Sequence, residues 1–277
     1  MGSRMQGRGM RVRVLAWVMF GAVAMGLPSL GGYADAADPP LRVGIAPIYP
    51  PLAFKKGGEL DGIEPEFARR LGERLGRSVT LTELPWDQLL IALGDRRVDV
   101  VMSGMSITAA RKRQALFTDS YLQVGQMALI RGDDYERLSG KGALNQEDVR
   151  VGYPTGTTSE DYVQKALVRA VQRGFASSGD GISALRNAQI DAWVQDAPAI
   201  WRVTGGFFSD EEQLRGLYTP RTVEHLAWAV RSDDTALAAT LNEALRVWKA
   251  DGTVDDVIDD WIRVRKTTIE VIPPDDD

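Results

Sequence analysis

The sequence predicts an α/β protein with two hinged lobes, each built on a mixed, mostly parallel sheet with helices on its faces. Three observations predict it. Strand-like and helix-like segments alternate from Leu41 onward. The same alternation begins again near Val149. The chain then adds one more strand and two helices, which favours a return to the first lobe.

The first half reads as a strand, a helix, a strand, a short helix and a buried strand. The long helix is predicted after a Gly-Gly turn because Pro65 suits an early helical position. Its apolar residues also recur every four positions on one face. The predicted segments are 41–45, a helix carrying Ile63, Phe67, Leu71 and Leu75, then 78–84, 87–93 and 99–103.

The second half repeats this order, and the final segment completes the first lobe. Its strands and helices are predicted at 149–153, from about Thr158, at 182–187 and at 192–194. A strand at 226–230 and two helices with apolar stripes ending at Trp248 and Trp261 follow. We therefore expect the first lobe at 37–122 and 225–277, where it ends in an acidic tail, and the second lobe at 123–224.

The first 36 residues have the pattern of a secretory signal peptide. Four arginines precede an uncharged apolar run at 14–27, and an A-x-A arrangement at 34–36 predicts cleavage after Ala36. An uncleaved membrane anchor is the alternative, although the run is short for a span of roughly twenty residues. With no cysteine to carry a lipid, the mature protein is expected to be soluble in the periplasm.

Composition excludes several kinds of function. The chain has 277 residues, no cysteine, one histidine and a net charge of −5. Thiol catalysis and two-histidine metal sites are therefore impossible, and we expect no metal and no cofactor. An acidic exported protein is also a poor candidate for binding nucleic acid, because it would not neutralise phosphates.

Four segments carry a resemblance to a known family. They are S-G-M-S-I-T-A-A-R at 103–111, F-T-D-S-Y at 117–121, G-T-T-S-E at 156–160 and Q-D-A-P at 195–198. Together they resemble the periplasmic solute-binding proteins of ABC importers for polar amino acids, extracellular solute-binding protein family 3. The resemblance implies the type II periplasmic-binding-protein fold, which binds an amino acid between its lobes without catalysis.

The resemblance also implies roles for particular residues. Arg111 would bind the ligand's α-carboxylate, which suits a guanidinium with two parallel donors, and Gly104 and Ser106 would contribute from the preceding loop. Thr157 and Thr158 open a helix whose free N–H groups favour an anion, although Thr157 with Glu160 also fits a capping box. Asp196 would take the α-ammonium, and its alternative role is a helix N-cap before Pro198.

Two aromatic residues, Tyr49 and Trp86, match family positions that enclose the ligand's side chain; packing inside the first lobe is the alternative role. Binders of cationic amino acids often carry an aspartate where this chain has Ala46. We therefore expect a polar or neutral side chain on the ligand, rather than lysine or arginine.

A different class of function stays open on the same fold. The two-lobe fold also resembles secreted cyclohexadienyl dehydratases, which convert prephenate or arogenate and would need a carboxylic acid in the cleft. Glu224 and Asp87 are the candidates for that acid, but both are more simply explained as exposed polar residues. We therefore expect a monomeric binding protein rather than an enzyme, with an amino acid and an inner-membrane ABC permease as its partners.

Overall fold

Two five-stranded sheets form the framework of the computed structural model, which describes residues 38–204 and 213–262. The predicted signal peptide and the acidic tail at 273–277 lie outside the described residues. The strands are β1 (Leu41–Ile45), β2 (Phe54–Lys56), β3 (Glu59–Asp61), β4 (Val79–Glu83), β5 (Val100–Val101), β6 (Ala115–Phe117), β7 (Leu122–Val124), β8 (Gln126–Arg131), β9 (Arg150–Pro154), β10 (Val171–Phe175), β11 (Ala192–Asp196), β12 (Leu214–Leu217), β13 (Glu224–Leu226) and β14 (Ala229–Arg231).

Helices lie between these strands in the α/β alternation that the sequence predicts. They are α1 (Ile63–Leu75), α2 (Leu89–Gly94), α3 (Ala109–Lys112), α4 (Tyr135–Leu138), α5 (Thr158–Ala166), α6 (Ser178–Arg186), α7 (Ala197–Thr204), α8 (Thr235–Ala250) and α9 (Thr253–Trp261). None of the helices in the described part of the chain has both the length and the apolar character needed to cross a bilayer.

The two sheets share one topology. The first has the order β4-β1-β5-β14-β6 and the second the order β10-β9-β11-β8-β12. In each sheet the first three strands are parallel, and the remaining two pairings are antiparallel. The predicted two-lobe α/β class is confirmed, with as many antiparallel pairings as parallel ones in each sheet.

An ion pair of the same geometry fixes the start of each sheet. The backbone N–H and the Nε of Arg42 both donate to Asp99 Oδ2, at 3.0 and 3.1 Å. In the second sheet the same two atoms of Arg150 donate to Asp191 Oδ2, at 2.9 and 2.8 Å. The Arg42–Asp99 pair aligns β1 with β5, and the Arg150–Asp191 pair aligns β9 with β11, so the two predicted halves are built alike.

Two short antiparallel strands connect the sheets. β7 carries the chain out of the first sheet, and β13 carries it back, with Glu224 paired to Val124 and Leu226 to Leu122. The sequence analysis predicted one strand at 226–230, and that is wrong. The chain leaves β13 at Leu226 and enters the first sheet as β14 at Ala229, because the indole of Trp228 between them turns inward to donate to Glu64 at 3.0 Å.

The core of the first lobe includes the faces that helical spacing predicted. On α1, Ile63, Phe67 and Leu71 are fully buried. The ring of Phe67 packs edge-on against Trp228 and is stacked on Trp248 of α8. The apolar stripes of the last two helices are therefore core faces, as expected.

Candidate functional site

A cleft between the two lobes brings together all eight residues that the sequence analysis selected. The empty space in it, including the part open to solvent, is about 460 Å³. The lining residues are Ile48, Tyr49, Trp86, Gly104, Ser106, Arg111, Pro154, Thr157, Thr158, Ser159, Ser178, Gln195 and Asp196. Their contact with a ligand stays a prediction.

Arg111 lies on the first lobe in the short helix α3. The helix begins after Thr108, whose hydroxyl accepts the Arg111 backbone N–H at 3.2 Å. The guanidinium donates to the Ser106 carbonyl at 2.9 Å and to the Gly156 carbonyl of the second lobe at 3.4 Å. Burial lowers the pKa of Arg111, and the negative charge of Asp196 opposes this change. A charged donor group therefore faces the cleft.

Asp196 is the last residue of β11, on the second lobe, and it is buried. Its carboxylate accepts the Tyr49 hydroxyl at 2.5 Å, and it also accepts the side-chain amide of Gln126. Burial, and after it the negative charge of Glu224, raises the pKa of Asp196 from 3.8 to about 7. An unusually basic carboxylate thus faces the same cleft as Arg111.

The second lobe also contributes the start of α5 to the cleft. Thr157 occupies the N-cap position, but its hydroxyl donates to the Pro154 carbonyl at 2.7 Å and makes no capping bond. Glu160 accepts the backbone N–H of Gly156 instead, at 2.7 Å. The capping-box alternative for Thr157 is therefore wrong, and the first turn of α5 presents N–H groups that no N-cap side chain accepts.

The aromatic residues connect the two lobes across the cleft. The indole of Trp86 donates to the Gly156 carbonyl at 2.9 Å, and the guanidinium carbon of Arg111 lies 5.2 Å from the centre of its ring. Tyr49 is held by paired backbone hydrogen bonds with Ala53 and reaches across to Asp196. Both are walls of the cleft, although Tyr49 also packs in the first lobe's core.

Gly104 and Ser106 belong to a loop that a buried carboxylate holds from behind. Glu64 Oε1 accepts the Gly104 backbone N–H at 2.5 Å. Gly104 has a φ of 67°, and a Cβ atom there would lie 2.8 Å from the ring of Tyr49. The loop therefore needs a glycine at this position both for its backbone angle and for the close approach of Tyr49.

Several residues at the site were not selected from the sequence. Ser159 and Gln195 lie in segments that were recognised, whereas Ile48, Pro154 and Ser178 gave no signal. Gln126 is fully buried at the start of β8, just before the apolar run 127–130, so a polar residue beside an apolar run was the available sign.

The expectation that Glu224 is an exposed polar residue is wrong. Its carboxylate is partly buried and accepts hydrogen bonds from Ser106, Gln126 and Thr222, because β13 passes between the two lobes beside the cleft. Asp87, its counterpart in the sequence analysis, is exposed as expected.

Comparison with known proteins identifies the class of protein that this fold and cleft define. Residues 41–264 match the family described as bacterial extracellular solute-binding proteins, family 3. The chain belongs to that family, whose named members here are periplasmic binding proteins of ABC transporters for amino acids.

Individual relatives agree with this assignment. The ABC transporter arginine-binding protein 1 of Escherichia coli is 29% identical over 238 residues, which cover 82% of this chain and 92% of the relative. The L-cystine-binding protein of the same species is 28% identical and covers 80% and 82%. A solved ancestral amino acid-binding protein, described as a precursor of cyclohexadienyl dehydratase, is 32% identical with a TM-score of 0.73, covering 80% and 94%.

Proposed function

We propose that this protein binds a free L-α-amino acid between its lobes and delivers it to an ABC permease in the inner membrane. One observation carries the proposal: a guanidinium on the first lobe and a carboxylate on the second line the same cleft. Arg111 and Asp196 are the two groups. They match the opposite charges of an amino acid's α-carboxylate and α-ammonium. Relatives named for binding arginine and cystine support the same class of ligand.

The ligand's carboxylate would lie between Arg111 and the start of α5. Arg111 supplies a charge-assisted hydrogen bond, and Thr157, Thr158 and the first N–H groups of α5 supply neutral donors from the other lobe. Binding to Arg111 first and to α5 afterwards would draw the lobes together by rotation at the hinge. The closed surface is then what the permease recognises.

The ligand's ammonium would lie against Asp196. A positive charge within a few ångströms favours the ionised form of a carboxyl, so a bound ammonium would lower the pKa of Asp196 from its value of about 7. Binding would therefore release a proton from the fraction of molecules in which Asp196 is protonated. Affinity would rise with pH through the range around 7.

Tyr49 and Trp86 would enclose the ligand's side chain, with a polar or neutral group preferred. Among the described residues that line the cleft, Asp196 is the one carboxylate. The α-ammonium engages it, so a cationic side chain would have no countercharge there. Ala46 has no charge to supply, and it is buried in the first lobe's core and is not among the residues that line the cleft.

The cellular setting completes the proposal. Export by a cleavable signal peptide at 1–36 would place a mature, monomeric chain in the periplasm, where members of this family work. The lobes would divide at β7 and β13. We propose binding without turnover, which the names of the curated relatives support.

A thermal-shift screen of the mature protein tests the ligand class. The panel contains the twenty common L-amino acids, several D-forms, prephenate and arogenate. A ligand at 100 times its Kd stabilises the fold by about 2.7 kcal/mol, which corresponds to roughly 5 to 10 °C in a protein of this size. We expect glutamine or another neutral amino acid to give the largest shift. A response to lysine or arginine alone would contradict the side-chain preference.

Calorimetric titration of variants tests the site. Arg111→Ala should weaken binding at least thirtyfold, and Asp196→Asn tenfold to a thousandfold, because each removes one of the two charges that hold the ligand. Arg113→Ala, two residues away and exposed, is the matched control and should bind normally. An unchanged Kd in Arg111→Ala would overturn the proposed site. Steady conversion of prephenate or arogenate by the wild type would overturn binding without turnover.

A further inference from the structure

Gln126 connects two of the second lobe's three predicted ligand residues, Thr158 and Asp196, although it does not line the cleft. Its side-chain nitrogen donates to the carboxylates of Asp196 and Glu224, the latter at 2.8 Å, and lies 3.3 Å from Thr158 Oγ1. Its side-chain oxygen accepts the Ser159 hydroxyl at 2.8 Å. Because Gln126 is fully buried, these bonds have no competition from water, and they fix where Asp196 and the start of α5 lie.

Gln126 also links these groups to Glu224, through the hydrogen bond from its side-chain nitrogen. The Glu224 carboxylate accepts the Ser106 hydroxyl at 2.8 Å, the Thr222 hydroxyl at 2.9 Å and the amide of Gln126. These three donors are neutral, so none of them cancels the charge of Glu224. That charge acts on the two charged groups of the site, favouring the cationic form of Arg111 and opposing ionisation of Asp196.

Gln126 and Glu224 lie at the hinge, so the geometry between them should stay constant. The backbone of Gln126 is bonded to the segment before β13: its N–H donates to Thr222 Oγ1 at 3.0 Å, and its carbonyl accepts the Arg221 N–H at 2.8 Å. Atoms near a hinge move least when the lobes rotate. The bonds from Gln126 to Asp196 and Glu224 should therefore persist in open and closed forms, whereas the bond from Tyr49 to Asp196 joins the two lobes.

We propose that Glu224 is a positioning residue of the ammonium site, which acts through Gln126 to orient Asp196 and whose negative charge sets how strongly Asp196 holds a cation. The inference rests on the proposed function, because it assigns the ammonium to Asp196. The ionisable and charged groups that face Asp196 are Tyr49, Tyr121, Arg111 and Glu224, on four different segments. Of these, Glu224 carries the like charge.

Two substitutions separate this role from a general loss of structure, since they should move the pKa of Asp196 in opposite directions. Glu224→Gln removes a like charge and should lower that pKa by about one unit. Gln126→Met removes a donor to the carboxylate but keeps Glu224, and should raise it. Asp87→Asn, an exposed acid outside the network, is the matched control and should leave it unchanged.

The measurement is carbon NMR of protein labelled at the aspartate side-chain carboxyl, titrated without any added amino acid, with the Asp196 signal assigned by its loss in Asp196→Asn. A lower pKa of Asp196 in Glu224→Gln supports the proposal. If only Gln126→Met folds, a higher pKa of Asp196 in that variant supports it. Unchanged values, or shifts of the same sign in both variants, would overturn it. This arm needs no ligand, so it does not depend on the proposed function.

Calorimetry with L-glutamine and L-arginine between pH 6 and pH 8 gives the functional consequence. In the wild type the Kd should weaken about tenfold from pH 8 to pH 6, and in Glu224→Gln about twofold, because Asp196 stays ionised to lower pH. Binding with the same pH dependence in both proteins would refute the role of Glu224. If the wild type bound neither these two nor any other amino acid of the thermal-shift panel, the proposed function itself would fail.

Discussion

Replacing Glu64 with glutamine should leave the protein about as stable at pH 5 and make it more stable at pH 8. Glu64 is fully buried on α1. One carboxylate oxygen accepts the Gly104 backbone N–H at 2.5 Å and the Tyr121 hydroxyl at 2.7 Å, and the other accepts the Trp228 indole at 3.0 Å. Three hydrogen bonds favour the ionised form of Glu64, but all three donors are neutral and none brings a positive charge.

The magnitude follows from the pKa of this carboxyl. Burial raises the pKa of Glu64 from 4.5 to about 7, and the three hydrogen bonds offset burial only in part. A raised pKa means that the stabilising contribution is present below the unfolded value of 4.5 and is lost as the pH rises through 7. Between pH 5 and pH 8 the loss is about 2 to 3 kcal/mol. Glutamine does not ionise, so the Glu64→Gln variant does not lose this stability as the pH rises.

At pH 5 the two side chains are nearly equivalent. A protonated carboxyl and an amide have the same shape, and each has one carbonyl acceptor beside a donor group, a hydroxyl or an NH2, so the free energies of unfolding should agree to within about 1 kcal/mol. At pH 8 Glu64→Gln should be the more stable protein by about 2 to 3 kcal/mol.

Urea unfolding followed by tryptophan fluorescence, at pH 5 and pH 8, measures this difference. Glu73→Gln, exposed on the same helix, is the control and should show the pH dependence of the wild type. Counting hydrogen bonds alone predicts a loss of about 1 to 3 kcal/mol in Glu64→Gln at both pH values. That result, with no change between pH 5 and pH 8, would refute the electrostatic reasoning.

Three further predictions concern the cleft and the second sheet. Gly104→Ala should destabilise the fold by about 1 to 3 kcal/mol in thermal unfolding and weaken amino-acid binding, because its Cβ would lie 2.8 Å from Tyr49 at a φ of 67°. Tyr49→Phe removes a donor to Asp196, so NMR titration should find the pKa of that carboxyl higher than in the wild type. Burial opposes ionisation of Asp191, but hydrogen bonds from Arg150 and other donors outweigh it and lower its pKa to about 2. Asp191→Asn should therefore cost about 2 kcal/mol or more in urea unfolding at pH 7, and the cost should shrink as the pH falls below about 4, where the wild-type carboxylate loses its advantage.

The elements with strong local signals were predicted closely. β1 spans Leu41–Ile45 as expected, and α1 has the predicted buried face, because both segments bury one regular set of apolar side chains. The start of α6 was missed. Its S-G-D-G segment has the composition of a turn, yet it is helical from Ser178, and Gly181 packs so closely on Trp193 that a Cβ would lie 2.0 Å from the indole. No local pattern contains that contact.

Strands at sheet edges and in the antiparallel part were also missed. β10 has mostly exposed side chains, and the first five of the six residues of β8 are buried, so neither shows the alternation that marks a half-buried strand. Their partners, not their own residues, make them strands. β8 pairs with β11 and β12, which lie far from it in the chain.

The sequence alone determined the α/β class, the family and the two charged groups of the cleft, because each depends on short segments with their own pattern. Only the tertiary structure decided what surrounds those groups. Gln126, Asp196 and Glu224 lie on three different strands, and Gln126 bonds both carboxylates although it is 70 residues from Asp196 and 98 from Glu224 in the chain. Burial and the neighbouring like charge, which set the basicity of Asp196, come from that packing and have no counterpart in any single segment.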